Sequence, residues 1–183
     1  MVSSDSWETA ALGALVTKVE AARDDGKYLF LWDKNGSVSM FFKYKGHLCD
    51  WAPEQVKYSM AGATDKSPVL DCARKSIVHT MRSGDNMLLD FDKMTPDLNE
   101  WKDDAIFDAN KVFDRTEWLK KDNYIKYVKE NENHGIGGLN PGHYLASENW
   151  TLTVRTSLES EDDVNAFIAT LPHKENFKFL IIE

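Results

Sequence analysis

Stretches with apolar residues at helical spacing alternate along the chain with short apolar runs that are typical of buried strands. The best-defined helix follows Ser67-Pro68, a cap residue and a proline suited to the first helical turn, and Gly84 marks its end. The apolar positions of this helix are Leu70, Ala73, Ile77 and Met81. The next segment, Met87–Phe91, is apolar and is predicted to be a buried strand.

The same criteria predict the remaining elements. Helices are expected over residues 7–22, 117–130 and 160–171, and strands over 28–33, 56–60, 150–156 and 177–182. Asp5 and Glu8 have the spacing of a capping box, and Ser160 is placed to cap the last helix. Apolar and polar residues alternate over 150–156, which predicts a strand with one buried face. Residues 47–53 are expected to be a connection.

The segment from residue 38 to residue 44 fits two patterns. Val38, Met40 and Phe42 alternate with their neighbours, which predicts the second arm of a hairpin that turns at Asn35-Gly36. Val38 and Phe42 also fit one face of a helix. The hairpin is the preferred interpretation and the helix is the alternative.

Strands that alternate with helices indicate βαβ crossovers, which require a largely parallel sheet. We therefore expect an α/β fold, a three-layer sandwich with a mainly parallel central sheet and the hairpin near the N-terminus. A length of 183 residues fits a single domain with a full hydrophobic core, and no linker or repeat divides the chain.

The composition narrows the functional class. The chain has 22 basic and 30 acidic residues and a formal charge of −8, which argues against nucleic-acid and anionic-membrane partners. No apolar run is long enough for a membrane span, and the N-terminus lacks the features of a secretory signal. Cys49 and Cys72 have no metal-site or redox-motif spacing. We expect a soluble cytoplasmic protein with free thiols.

Two carboxylates at the end of the predicted strand 87–91 are the first candidates for chemistry. Residues two apart on a strand face the same side, so Asp90 and Asp92 could both contact a hydrated Mg²⁺ ion. The alternative is a strand end that exposes two solvated acids.

The run Met87-Leu-Leu-Asp90 resembles the Walker B element of P-loop nucleotide hydrolases, and the order of elements is also similar to that of an AAA-like domain. The resemblance implies that Asp90 orients a metal ion and that Ser157, after a later strand, lies near phosphate. The phosphate loop G-x-x-x-x-G-K-[ST] is missing, because Asp33-Lys-Asn-Gly-Ser-Val-Ser-Met40 stands in its place. Asp33 also puts an acid where anion-binding N–H groups should cluster. Lys34 is the nearest substitute for the missing lysine.

These observations predict a non-catalytic protein-interaction module on a degenerate P-loop (AAA-like) fold, with a protein partner and no cofactor. One alternative is an Mg²⁺-dependent nucleotide- or phosphate-processing enzyme that uses Asp90 and Asp92. Another is a small-ligand-binding domain that uses the strand ends beside the glycine-rich loop Gly135–Gly142.

Overall fold

A six-stranded, all-parallel sheet forms the centre of the structure, a computed structural model that describes residues 7–183. The strand order across the sheet is β1-β6-β2-β5-β4-β3. The strands are β1 (Trp7–Ala10), β2 (Tyr28–Trp32), β3 (His47–Asp50), β4 (Asn86–Asp90), β5 (Thr151–Thr156) and β6 (Phe177–Ile182). The expected α/β class and parallel sheet are confirmed.

Eight α-helices cover the two faces of the sheet within the described residues. They are α1 (Leu15–Asp24), α2 (Ser37–Lys45), α3 (Trp51–Met60), α4 (Ser67–Ser83), α5 (Ala109–Val112), α6 (Arg115–Trp118), α7 (Lys121–Tyr124) and α8 (Glu161–Thr170). Apolar residues of α1 and α2 pack on one face, and those of α4, α8 and the long β4–β5 connection pack on the other. Among residues 7–183, no helix has the length and apolar character needed to cross a membrane.

The direction in which the chain crosses the sheet explains this division. The crossovers from β1 to β2 and from β2 to β3 run one way, and every later crossover runs the opposite way. Because such crossovers are right-handed, α2 and α8 leave the neighbouring strands β2 and β5 on opposite faces. This arrangement opens a crevice outside the carboxyl ends of β2 and β5, where open α/β sheets bind ligands.

The central position of β5 corrects one expectation. All six of its residues are buried, because β2 and β4 flank it and helices cover both faces. The prediction of one buried face was therefore wrong. The polar side chains of Thr153 and Arg155 lie inside the protein, and Arg155 needs charged partners there.

The predicted N-terminal hairpin is also wrong, because residues 37–45 form α2. The turn at Gly36 is present, with a positive φ of 73°, but it leads into the helix. The Asp33 carboxylate accepts a hydrogen bond from the Val38 N–H, which fixes the helix start. Val38 and Phe42, one turn apart, then pack into the core. The helical alternative was correct.

The helix predicted over residues 7–22 begins later than expected. Residues 7–10 form β1, which pairs with β6, and the helix α1 starts only at Leu15. Glu8 therefore lies in a strand, and its proposed capping partner Asp5 lies outside the described residues. Pairing with the edge of the sheet overrides the helical pattern here, because backbone partners are available only in the tertiary structure.

Three further segments differ from the sequence prediction. The predicted connection 47–53 contains the edge strand β3, and the predicted strand 56–60 belongs to α3. The predicted helix 117–130 is divided between α6, α7 and a 3₁₀ turn. The strands β2, β4, β5 and β6 and the helices α4 and α8 lie where expected, and Ser160 caps α8 through the Asp163 N–H.

The backbone conformation and close packing of Gly84 predict that a side chain at this position destabilises the protein. The φ of Gly84 is 78°, and an added Cβ would lie 2.6 Å from Oγ of Ser147. A left-handed backbone conformation alone costs a non-glycine residue roughly 1–3 kcal/mol. We expect Gly84→Ala to lower the free energy of unfolding by more than this, as measured by urea denaturation. Gly62→Ala is the matched control, since Gly62 has a φ of 60° and open space around it. Equal losses in the two variants would contradict close packing at Gly84.

Candidate functional site

The carboxyl edge of the sheet brings four charged residues from different strands together. Asp33 follows β2, Asp90 ends β4, Asp50 ends β3, and Arg155 lies near the end of β5. Carboxyl ends of parallel strands meet at one edge, which explains why residues so distant in sequence become neighbours. Asp33, Asp90 and Arg155 are all nearly inaccessible, with exposed fractions of 0%, 3% and 3%.

The Arg155 guanidinium is the centre of this cluster. Its Nη1 donates to both carboxylate oxygens of Asp90, at 2.8 and 3.0 Å. Its Nε donates to Oδ2 of Asp33 at 3.2 Å, and its Nη2 donates to the Asp33 backbone carbonyl at 2.9 Å. A buried guanidinium without partners is strongly destabilising. Two buried carboxylates and a carbonyl therefore hold it in place.

Asp33 has a second role at the start of α2. Its Oδ2 accepts the Val38 N–H at 2.9 Å, and its Oδ1 accepts the Ser37 hydroxyl at 3.1 Å. The N-terminus of a helix attracts anions, because its first N–H groups have no partners within the helix. Here the protein supplies the anion itself. The carboxylate of Asp33 uses the N–H group that a phosphate at this position would need.

Asp90 and Asp92 do come together, although not through strand alternation. Asp90 is the last residue of β4, and Asp92 lies beyond it with a φ of 49°. The Asp92 N–H donates to Oδ1 of Asp90 at 2.9 Å, and Oδ2 of Asp90 accepts the Ser39 hydroxyl. Between residues 7 and 183, no group of three or more His, Cys, Asp or Glu side chains is arranged to hold a metal ion.

The other two residues singled out from the sequence have different positions. Ser157 belongs to the cluster, since its hydroxyl donates to Oδ1 of Asp92. Lys34 does not line the cleft. Its ammonium lies over the ring of Trp32, 4.4 Å from the ring centroid. The structure therefore groups Asp90, Asp92 and Ser157 and separates Lys34 from them.

An open cleft of about 480 Å³ lies above the cluster. Its lining includes the acidic residues Asp50, Asp90 and Asp92 and the apolar residues Ala52, Pro53 and Val56 of α3. Burial raises the pKa of Asp50, and repulsion by Asp90 and Asp92 raises it further. The side chain of Asp92 is 52% exposed. The lining of the cleft thus combines acidic and apolar residues.

Sequence reasoning missed Arg155 and the structural role of Asp33. The sequence did contain a signal for Arg155. This arginine interrupts a strand whose other residues are apolar or carry a hydroxyl group, and the strand lies close to the C-terminal end of the fold. An arginine in a central strand requires acids at the ends of the neighbouring strands. Asp33 and Asp90, each at the end of an apolar run, were the available partners.

Removal of the Arg155 charge tests the cluster. We expect Arg155→Met to lower the free energy of unfolding by about 3–5 kcal/mol, because two carboxylates would stay buried without their cation. Adding Asp33→Asn and Asp90→Asn should restore part of the loss, measured by urea denaturation. Arg23→Met is the control, since Arg23 pairs with Asp24 at the surface and its loss should cost under about 1 kcal/mol. A similar small loss for Arg155→Met would contradict the buried cluster.

Comparison with known proteins returned no relative. No protein-family model matches the chain, and neither the curated proteins nor the solved structures contain a significant match. The function is therefore inferred from the geometry of the Asp33, Asp90 and Arg155 cluster and of the cleft above it.

Proposed function

We propose that the protein is a non-catalytic interaction module whose cleft binds a partner protein through a Lys or Arg side chain flanked by apolar residues. The observation that carries this proposal is the saturation of Asp33 and Asp90 by Arg155. Catalytic groups need free lone pairs or protons to act on a substrate. In this cluster the buried charges bind one another instead.

The same contacts argue against the Mg²⁺-dependent alternative. A metal ion at Asp90 would have to displace the Nη1 group of Arg155, which donates to both carboxylate oxygens. A phosphate at the start of α2 would have to displace the carboxylate of Asp33 and would then face Asp50 and Asp92. Each replacement leaves a buried charge without a partner. A degenerate nucleotide-binding-like fold without a cofactor is therefore the interpretation we favour.

The cleft favours a basic partner group. Asp50 and Asp92 face it without full neutralisation, since only Asp92 contacts Arg155, at 3.5 Å. A cation placed between these carboxylates would relieve the repulsion that raises the pKa of Asp50. Val56, which lines the cleft, is 43% exposed, and Met60 on the same helix is 84% exposed. Apolar contacts around a desolvated ion pair are typical of protein interfaces.

We also propose a cytoplasmic location. Both cysteines are free in the structure, Cys49 buried and Cys72 partly exposed, and free thiols are typical of reducing compartments.

Selection of peptides on the folded protein tests the proposed partner chemistry. We expect selected peptides to contain Lys or Arg beside apolar residues, and Asp50→Asn with Asp92→Asn to weaken their binding at least about 10-fold in fluorescence polarisation. Glu148→Gln, an exposed acid outside the cleft, is the matched control.

Two results would contradict the proposal. One is equal peptide affinity in the cleft variant and in the control. The other is a rise in melting temperature with MgATP or MgGTP that Asp90→Asn abolishes, because a ligand that binds the native state must stabilise it. That second result would favour the enzyme instead.

The raised pKa of Asp50 predicts that the effect of Asp50→Asn on stability depends on pH. A raised pKa in the folded state means that ionisation of Asp50 weakens the fold, and this effect develops as pH rises above the unfolded value of about 4. We therefore expect Asp50→Asn to raise the melting temperature at pH 7 and to raise it less at pH 4. Calorimetry at both pH values measures the difference. A stabilisation that is equal at both pH values would show that ionisation of the buried Asp50 carboxyl is not its cause.

A further inference from the structure

A second cavity, of about 290 Å³, lies in the long connection between β4 and β5 and shares no residue with the cleft. Its walls come from α5, α6, α7 and the turn after α7, and they include Trp118 and Tyr127. The volume is close to the lower limit of about 300 Å³ for small-molecule sites. The cavity therefore fits a ligand much smaller than a nucleotide.

The hydroxyl group of Tyr127 points to a ligand. Tyr127 lines the cavity and is only 4% exposed, yet its buried hydroxyl has no hydrogen-bond partner among residues 7–183. The residue is fixed in position, because its ring packs edge-on against Trp118 and its carbonyl accepts a hydrogen bond from Arg74 at 2.9 Å. Buried hydroxyls are nearly always paired. A ligand polar atom would supply the missing partner.

The charged groups around the cavity carry both signs. Lys126 lines it and makes no ion pair with any residue in the described part of the chain. Lys111 lies over the Tyr127 ring, 6.0 Å from its centroid, and pairs at 3.1 Å with Asp104, which also lines the cavity. Glu117 pairs with Lys120. Asp114 and Glu117 provide carboxylates. One oxygen of Asp114 caps α6 through the Glu117 N–H, which leaves the other available. A ligand with one charge would be repelled by part of this lining.

We propose that this cavity binds a small zwitterion of the size of a free α-amino acid. The ligand carboxylate lies at the ammonium of Lys126 and the Tyr127 hydroxyl, which then donates a hydrogen bond to it. The ligand ammonium lies at Asp114 and Glu117. Binding satisfies the buried hydroxyl and pairs charges of both signs, which neither a dicarboxylate nor a diamine can do. This site is independent of the proposed cleft function.

The test uses the full chain and the twenty free amino acids as probes, each at 10 mM, with thermal unfolding and calorimetric titration as readouts. At a 100-fold excess over the dissociation constant, we expect a bound amino acid to raise the melting temperature by about 5–10 °C. Succinate carries only negative charges and 1,4-diaminobutane only positive charges. As control ligands, neither should shift the melting temperature. A shift with none of the amino acids, or an equal shift with succinate or the diamine, would overturn the proposal.

Tyr127→Phe separates binding from folding. Because the hydroxyl has no hydrogen-bond partner in the described part of the chain, its removal should leave the unliganded melting temperature unchanged or raised, while amino-acid affinity falls about 10-fold. Lys126→Gln should also weaken binding, and Lys121→Gln, a lysine on α7 that does not line the cavity, should not. Unchanged affinity in both Tyr127→Phe and Lys126→Gln would place the ligand elsewhere and overturn the assignment.

Discussion

The buried guanidinium of Arg155 and the carboxylates that surround it determine the structure of the sheet's carboxyl edge. Arg155 holds Asp33 at the start of α2 and Asp90 at the end of β4, so one side chain connects three adjacent strands and a helix. An ion cluster of this kind adds little net stability compared with a packed apolar core, but breaking it is costly. The positions of Asp33 and Asp90 therefore depend on Arg155.

This constraint also explains the proposed function. In an open α/β sheet, the crevice at the switch point is where a ligand binds and chemistry takes place. Here the charges deepest in that crevice pair with one another, and the open cleft above them is lined by Asp50, Asp92 and apolar residues of α3. Burial, and then repulsion by Asp90 and Asp92, raise the pKa of Asp50, and groups held at binding sites often carry such a cost in stability. We therefore propose that the cleft holds a partner's charge and does not transform a substrate.

The long β4–β5 connection is part of the folded core and also forms the second cavity. Arg74 on α4 binds Glu132 through two hydrogen bonds, at 2.6 and 3.0 Å, and so ties the connection to the helix layer. The hydroxyl of Tyr144 donates to the Val78 carbonyl at 2.7 Å on the same helix. The same helix holds Tyr127 through its carbonyl, although the Tyr127 hydroxyl has no hydrogen-bond partner within residues 7–183.

Local patterning in the sequence by itself determined the α/β class, the strands β2, β4, β5 and β6, and the helices α4 and α8, because their apolar periods and end signals lie within each segment. It also identified the acids that end the β4 segment. Only the tertiary structure decided that residues 37–45 are helical, that residues 7–10 join the sheet, and that Arg155 closes the site. These outcomes depend on partners distant in the sequence, and the pairing energy of a buried charge or an edge strand is absent from any local pattern.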